Sequence, residues 1–395
     1  MKMVGDLLKN FIDQMGFIQY DANGNFDWIS LGLRAIMIVV ALVLIFLAVK
    51  KDFEPYLLIP IGVGMLLANL APGLVNPGTE HEAAGLLYSF HKGIDWEIFP
   101  PLVFLGIGAT TDFGPLISRP SSLLLGGAAQ FGIFATFFGA LLLGFNALEA
   151  SAIGIIGGAD GPTAIFLSNK MLGGAIGGDM LCSSIAVVAY SYMALVPVIQ
   201  PPIIKALTTK EERKIKMVEP RKVSKKEKII FPIVVMILVI LLIPSCAPLI
   251  GMLMLGNLIK ESGVVPNLVS AASNTILYVV TILLGLSVGS TALLTDPLEA
   301  WDFLKILILG MLAFSAATAS GVLIGKLMCK LSKGKINPMI GAAGVSAVPM
   351  AARVVHKIGQ EEDKSNYLIM HAMGPNVAGV IGSAVAAGLL LSIFG

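Results

Sequence analysis

Gly157-Gly158-Ala159-Asp160-Gly161-Pro162-Thr163 decides the fold. It lies inside the apolar run Ala150–Leu167, which carries no other charge. A carboxylate at membrane depth costs about 3 kcal/mol on insertion scales, so Asp160 is a candidate functional residue by default. Glycine and proline beside it predict a broken helix. Broken backbone at that depth is tolerated only where protein or a watery cavity encloses it. An anion on an unwound segment is a place to hold a small cation. The bland alternative is an aspartate that caps a helix or pairs with a buried base, and no basic residue lies nearby in sequence.

Composition places the whole chain in the membrane. Of 395 residues only 13% are charged and 56% are hydrophobic, against roughly 25% charged in soluble domains. The mean hydropathy of +0.86 agrees. The 43 glycines suit close helix packing in lipid. Cys182, Cys246 and Cys329 are scattered without metal-ligand spacing and read as small buried hydrophobes. Residues 1–29 read as a polar, mildly amphipathic segment without a cleavable signal.

Apolar runs of spanning character fall at about 30–49, 55–72, 98–112, 121–145, 180–203, 229–246, 247–262, 269–290, 303–328 and 368–394. Two further segments, about 150–170 and 336–355, are interrupted by Gly, Pro, Asp or Ser and read as broken or re-entrant helices. The longest polar stretch, Thr208 to Lys228, holds nine Lys/Arg against four Glu, which the positive-inside rule puts in the cytoplasm as a solvated loop. It separates a first membrane repeat, 30–207, from a second, 229–395. Leu105-Gly106-Ile107-Gly108 echoes Leu284-Gly285-Leu286-Ser287, and Gly158–Ala164 echoes Val345–Ala351, aligning Pro162 with Pro349. The predicted fold is an all-α polytopic membrane protein of two inverted repeats, each with about five transmembrane helices and one broken hairpin. Threading the spans through the charged loops puts the first broken segment on the outer side and the second on the cytoplasmic side. Paired broken helices in corresponding positions point to a transport site near the midplane.

The second broken segment, Asn337 to Arg353, offers the Asn337 and Ser346 side-chain oxygens and carbonyls freed around Gly341, Gly344 and Pro349. A lone Asn or Ser in a membrane helix more often bonds a neighbouring helix. Placement opposite Asp160 raises the functional reading. Asn376 lies in a third breaking cluster, His371–Gly379. Tyr190 and Tyr192 flank Ser191 well inside an apolar run, where one hydroxyl is expected to point inward. Arg353 is placed to neutralise an anionic ligand at the cytoplasmic mouth, or to snorkel. Asp112 ends a span and reads as a cap. His356 and His371 have no partner spacing. Nucleotide-binding loops and zinc patterns are absent, so ATP hydrolysis and nucleic-acid binding are not expected.

Four blocks now carry a specific likeness: GGADGPTAIFLSNK, AYSYMALVPVIQPPIIKALTT, NPMIGAAGVSAVPMAARVV and HAMGPNVAGVIGSAVAAG. They resemble the β subunit of sodium-translocating biotin-dependent decarboxylases, over about residues 30–395. The resemblance implies that carboxybiotin, carried by a separate biotin carrier subunit, is decarboxylated at the cytoplasmic face with consumption of a proton while Na⁺ is exported. It implies Na⁺ handling by Asp160, Asn337, Gly341, Ser346 and Asn376. It also implies proton or ion handling by Tyr192 and Ser346, and carboxybiotin binding or coupling at Arg353. The implied partners are the carrier, a carboxyltransferase α subunit and a small membrane γ/δ subunit, in a homo-oligomer of the bacterial or archaeal cytoplasmic membrane. The chain is short for an oxaloacetate-type subunit, which points toward an acyl-CoA decarboxylase. Two competing readings are an elevator-type Na⁺/organic-anion transporter and a passive anchor for soluble subunits.

Overall fold

The computed structural model describes residues 26–79, 83–173, 178–293 and 297–395. The N-terminal segment expected at 1–29 therefore lies almost wholly outside the described residues. The chain is all-α, 81% helical, with no strand among the described residues. That is what lipid requires, because helices satisfy their own backbone groups where no water is available.

Among the described residues six helices are long and apolar enough to cross a membrane: Trp28–Lys51, Ser122–Leu142, Leu181–Leu207, Pro266–Ser290, Ala300–Leu331 and Ile369–Phe394. The runs expected at 55–72, 98–112, 229–246 and 247–262 fold as shorter helices of 12 to 18 residues. Pro72 ends the first of these, and Ile243–Pro244 separates the last two.

Two compact units emerge. The first gathers the described residues up to Trp96 with those of Thr281–Lys305. It contains α1 (Trp28–Lys51) and α2 (Pro55–Leu70). Asp27 caps α1 by accepting from the Ile29 and Ser30 amides at 3.1 and 3.0 Å. Arg34, two turns into α1, is buried and donates to the Asn69 carbonyl at the end of α2. A guanidinium is well placed against a helix C-terminus. Asn69 in turn donates to the carbonyls of Met65 and Ala292. Arg34 was not singled out in the sequence, although a base inside an apolar run invites the same question as Asp160.

The second unit comprises Glu97–Val280 and Ile306–Gly395. It contains α3 (Phe99–Thr110), α4 (Ser122–Ala129) and α5 (Phe131–Leu142). Then follow α6 (Ala147–Gly154), α7 (Gly161–Leu172) and α8 (Gly178–Leu207). After α9 (Lys210–Arg213) come α10 (Lys225–Leu242) and α11 (Ala247–Ser262). The long helix Pro297–Leu331 is α12, of which the part from Ile306 belongs here, and α13 (Met350–Glu362) and α14 (Ile369–Phe394) complete the unit. Helices α3 and α11 cross at Gly108 and Gly256, where a Cβ would stand 2.0 and 2.1 Å from the opposing carbonyls. Small residues let helices meet this closely without an aqueous hydrophobic drive.

The basic stretch after α8 differs from a solvated loop along 208–217. Arg213 is buried, pairs with Glu362 at 2.7 Å and donates to the Thr208 carbonyl at 2.6 Å. Asn337 and Asn366 both donate to the Arg213 and Ile215 carbonyls. Lys205–Glu361 and Lys216–Asp363 add pairs to the same end of α13. Charge composition alone does not reveal that acceptors wait on the second broken segment.

This strap has an expected acid response. The Arg213 guanidinium holds Glu362 below the ordinary carboxylate range, and the Ser365 hydroxyl and amide, with Lys216, hold Asp363 well below it. Depressed folded-state values mean the attachment is fully present above about pH 4, the ordinary carboxylate pKa, and is lost as pH falls through the folded values. Hydrogen exchange at 208–217, corrected for its intrinsic pH dependence, should be flat from pH 5 to 8 and rise below pH 4. Arg213→Ala should raise tryptic cleavage within 208–217 at neutral pH on the order of tenfold. An unchanged cleavage rate would show that the pairs do not hold the strap.

Candidate functional site

Asp160 sits where the first broken segment unwinds. After α6 the chain tightens into a 3₁₀ turn, Ile155–Gly158; Ala159 then adopts the left-handed region (φ 55°) and Asp160 is extended (φ −131°). Pro162 starts α7 without needing an amide partner. Asp160 is 4% exposed. Its Oδ1 accepts from the Thr163 amide at 3.2 Å and its Oδ2 from the Ser383 hydroxyl of α14 at 2.6 Å. The capping role is therefore real, and it occupies only one oxygen. No base pairs with Asp160 among the described residues.

The second broken segment meets the first directly. A 3₁₀ turn over Pro338–Gly344 gives way to extended backbone at Val345, and α13 starts at Met350. In between, the Ser346 amide donates to the Gly158 carbonyl at 3.1 Å, a bond from one break to the other. The Ser346 hydroxyl donates to the Gly379 carbonyl at 2.9 Å. Asn376 donates to the Val345 and Ala347 carbonyls at 2.7 and 3.3 Å, and its Oδ1 is buried without a hydrogen bond. Asp160, Ser346 and Asn376 thus converge on one crossing.

The other residues singled out from sequence go elsewhere. Gly341 packs against Gly321 of α12, where a Cβ would come within 1.9 Å of the Gly321 carbonyl; it allows close approach. Asn337 caps the 3₁₀ turn at the Met339 amide and holds the 208–217 strap rather than the Asp160 crossing. Arg353 is exposed on the first turns of α13. Tyr190 and Tyr192 are both buried, not one of the pair. The Tyr192 hydroxyl donates to the Leu307 carbonyl, apart from Ser346. It is the Tyr190 ring that lies against the Asp160 break, where a Cβ on Gly161 would stand 2.5 Å from Cζ. Asp112 caps Gly114 and pairs with Lys228 at 2.9 Å, and His356 accepts from the Leu368 amide.

Two side chains at the crossing escaped sequence reasoning. Ser383 follows Asn376 by seven residues, two turns along one face of α14, so the spacing was available. Gln130 is a lone amide in the run 121–145 and marks the joint between α4 and α5. It donates to the Gly126 and Gly379 carbonyls, and its Oε1 makes no hydrogen bond beside Gly158. The side chains at the crossing offer oxygen: the Asp160 carboxylate, the Ser383 hydroxyl, and the Asn376 and Gln130 amide oxygens, which make no hydrogen bond. That is the donor chemistry of a hard cation. Among the described residues no cluster of His, Cys, Asp and Glu suits a transition metal.

A family profile described as "Na+-transporting oxaloacetate decarboxylase beta subunit" matches residues 33–394. The chain belongs to this family. It is 58% identical to the methylmalonyl-CoA decarboxylase subunit beta of Propionigenium modestum, over 91% of this chain and 94% of the relative. It is 52% identical to the glutaconyl-CoA decarboxylase subunit beta of Acidaminococcus fermentans, over 98% of both. Identity to the oxaloacetate decarboxylase beta chain of Klebsiella pneumoniae is 50%, over 91% of this chain and 94% of the relative. As a member of this family, the chain is a multi-pass membrane decarboxylase subunit of the translocase type.

Proposed function

We propose that this subunit decarboxylates carboxybiotin presented by a separate carrier subunit and couples the reaction to Na⁺ export, consuming a proton, with Asp160 as the central ion ligand. The observation that carries the reading is a buried carboxylate without a basic partner, at the crossing of two broken helical segments joined by the Ser346–Gly158 bond. Ser383, Asn376 and Gln130 complete the proposed oxygen set, and Ser346 links the set to the second break. Asn337 and Gly341 then act on that break through its packing, and Tyr192 through its bond to Leu307. Arg353, exposed at the start of α13, is the proposed contact for the carboxylate of carboxybiotin. The proposed assembly includes the carrier, a carboxyltransferase α subunit and a small membrane γ/δ subunit, and more than one copy of this chain, in a bacterial or archaeal cytoplasmic membrane. The halves 30–207 and 229–395 serve as inverted repeats, bringing one break in from each side.

Moving one charge against 100 mV takes about 2.3 kcal/mol, so decarboxylation must be linked to reorientation of the site or its energy is dissipated. A bond between the two breaks supplies a route for that link, since neither moves without disturbing the other. The test is reconstitution of the full chain in liposomes. Carboxybiotin added on the cytoplasmic side should be decarboxylated only with Na⁺ and should drive Na⁺ across the bilayer. Na⁺-coupled accumulation of an organic anion without biotin would instead assign a secondary transporter, and neither activity would assign an anchor.

A further inference from the structure

A cavity at the C-terminal end of α12, beside the 208–217 strap, lies outside the Asp160 crossing and takes no part in the proposed chemistry. It has a volume of about 490 Å³ and is lined by Glu212, Lys326, Leu327, Cys329, Lys330, Lys333 and Gly334. Lys326 and Lys330 lie one turn apart on α12 and Lys333 sits in the turn just beyond its end, and all three line the cavity. Lys326 is spent on the wall: it donates to the Leu207 carbonyl at 3.1 Å and pairs with Glu212 at 3.4 Å. Lys330 and Lys333 form no ion pair among the described residues.

Lysines at a helix end often serve only to satisfy its last carbonyls. Here the backbone does that work. The Gly334 amide donates to the Cys329 carbonyl at 2.9 Å and the Lys333 amide to the Lys330 carbonyl at 3.2 Å. Lys333 and Gly334, at φ 55° and 81°, form the left-handed turn that closes the helix. The two ammoniums are left to face the cavity. Three ammoniums against the one Glu212 carboxylate give the lining a net positive charge.

The same helix presents an apolar track beside the lysines. Leu323, Leu327 and Leu331 are spaced four apart and are 53%, 51% and 75% exposed. Leu327 also lines the cavity. A basic pocket that opens onto an exposed leucine track matches a ligand with an anionic head and apolar tails. A volume of this size falls in the range of about 300–1,000 Å³ typical of ligand pockets. Free phosphate has no use for the leucines, and snorkelling lysines need no shared cavity.

We propose that this cavity binds the phosphate head of an anionic glycerophospholipid of the cytoplasmic leaflet, with Lys330 and Lys333 on the phosphate and the acyl chains along Leu323, Leu327 and Leu331. The lipid braces the end of α12 against the 208–217 strap through the Lys326–Glu212 wall. The site does not depend on the ion chemistry of Asp160.

The test is native mass spectrometry of the full chain released from detergent with matched-chain phosphatidylglycerol or phosphatidylcholine. Phosphatidylglycerol should be retained in preference. Lys330→Gln with Lys333→Gln should weaken it roughly thirtyfold, from about one interfacial lysine's worth of attraction each, and leave phosphatidylcholine unchanged. Lys50→Gln with Lys51→Gln, a basic pair of similar setting at the end of α1, should change retention no more than a few-fold. Lys330→Arg with Lys333→Arg should keep the preference, which separates charge from misfolding. Unchanged retention in the glutamine pair, or equal losses in both glutamine pairs or in the arginine pair, overturns the proposal. Glycerol 3-phosphate displacing the lipid at equal concentration also overturns it and assigns the cavity to a soluble phosphate.

Discussion

Asp160→Asn should abolish the Na⁺ stimulation of carboxybiotin decarboxylation, by at least on the order of a hundredfold, without destabilising the protein. The two halves of this result have separate causes. Asparagine is as good an N-cap as aspartate, so the bond from the Thr163 amide is retained. The asparagine amide can donate to Ser383 Oγ while that hydroxyl turns to the Val380 carbonyl, and removing a charge that no base among the described residues compensates, at a position 4% exposed, relieves desolvation. What it takes away is the one full negative charge among the oxygens at the crossing, and a hard cation loses most of its attraction there. Decarboxylation of free carboxybiotin titrated with Na⁺, beside a thermal melt, reads both quantities. A variant that keeps the full Na⁺ response refutes Asp160 as the ion ligand. One that loses activity together with several degrees of melting temperature points to the cap instead. Ser383→Ala should lie between, losing about one hydrogen bond's worth of ion affinity, roughly tenfold in the Na⁺ half-saturation.

Gly379→Ala should be nearly as damaging, by a different route. A Cβ there would stand 2.2 Å from the Gly344 carbonyl and 3.0 Å from the Val345 backbone. Both neighbours are main chain and cannot rotate away, so α14 must move off the second break. Overpacking of this kind costs about 1–3 kcal/mol. The displacement also strains two bonds that end on the Gly379 carbonyl, from the Ser346 hydroxyl and from Gln130. The expected result is a lower melting temperature and a raised Na⁺ half-saturation in one variant. Gly127→Ala is the control. It lies on α4 close by in sequence to Gln130, with nothing within 4 Å of an added Cβ, and should gain up to about 1 kcal/mol of helix propensity. If the two alanines behave alike, close backbone approach at Gly379 is not what holds the crossing.

The features of this protein are unevenly legible in its sequence, and the pattern has a physical explanation. Membrane helices announce themselves because lipid demands long apolar runs, and each full-length span lies where the hydropathy placed it. Asp160 was legible because a charge in such a run is costly and calls for a reason. The two breaks were legible because Gly and Pro act locally. Ser383 and Gln130 were harder, since a hydroxyl or an amide can satisfy itself on its own helix and signals nothing until a partner is seen. The exchange of emphasis between Tyr190 and Tyr192 was illegible, because residues two positions apart on a helix face nearly opposite ways and the sequence does not report which of them faces the break. The strap was missed because a basic stretch looks solvated until Asn337 and Asn366 are found on the Arg213 and Ile215 carbonyls and Glu362 on the Arg213 guanidinium.

By itself, then, the sequence determined the solvent, the helical class, the positions of the breaks and the one costly carboxylate, because each is set by local chemistry against a lipid background. Only the tertiary structure decided that the breaks touch, through the Ser346 amide and the Gly158 carbonyl, and that α14 delivers Ser383 to Asp160 across 223 residues of chain. Contacts between distant segments are chosen by the shape of the packed backbones, and here those shapes are set by glycines whose meaning appears only when the opposing carbonyl is in place.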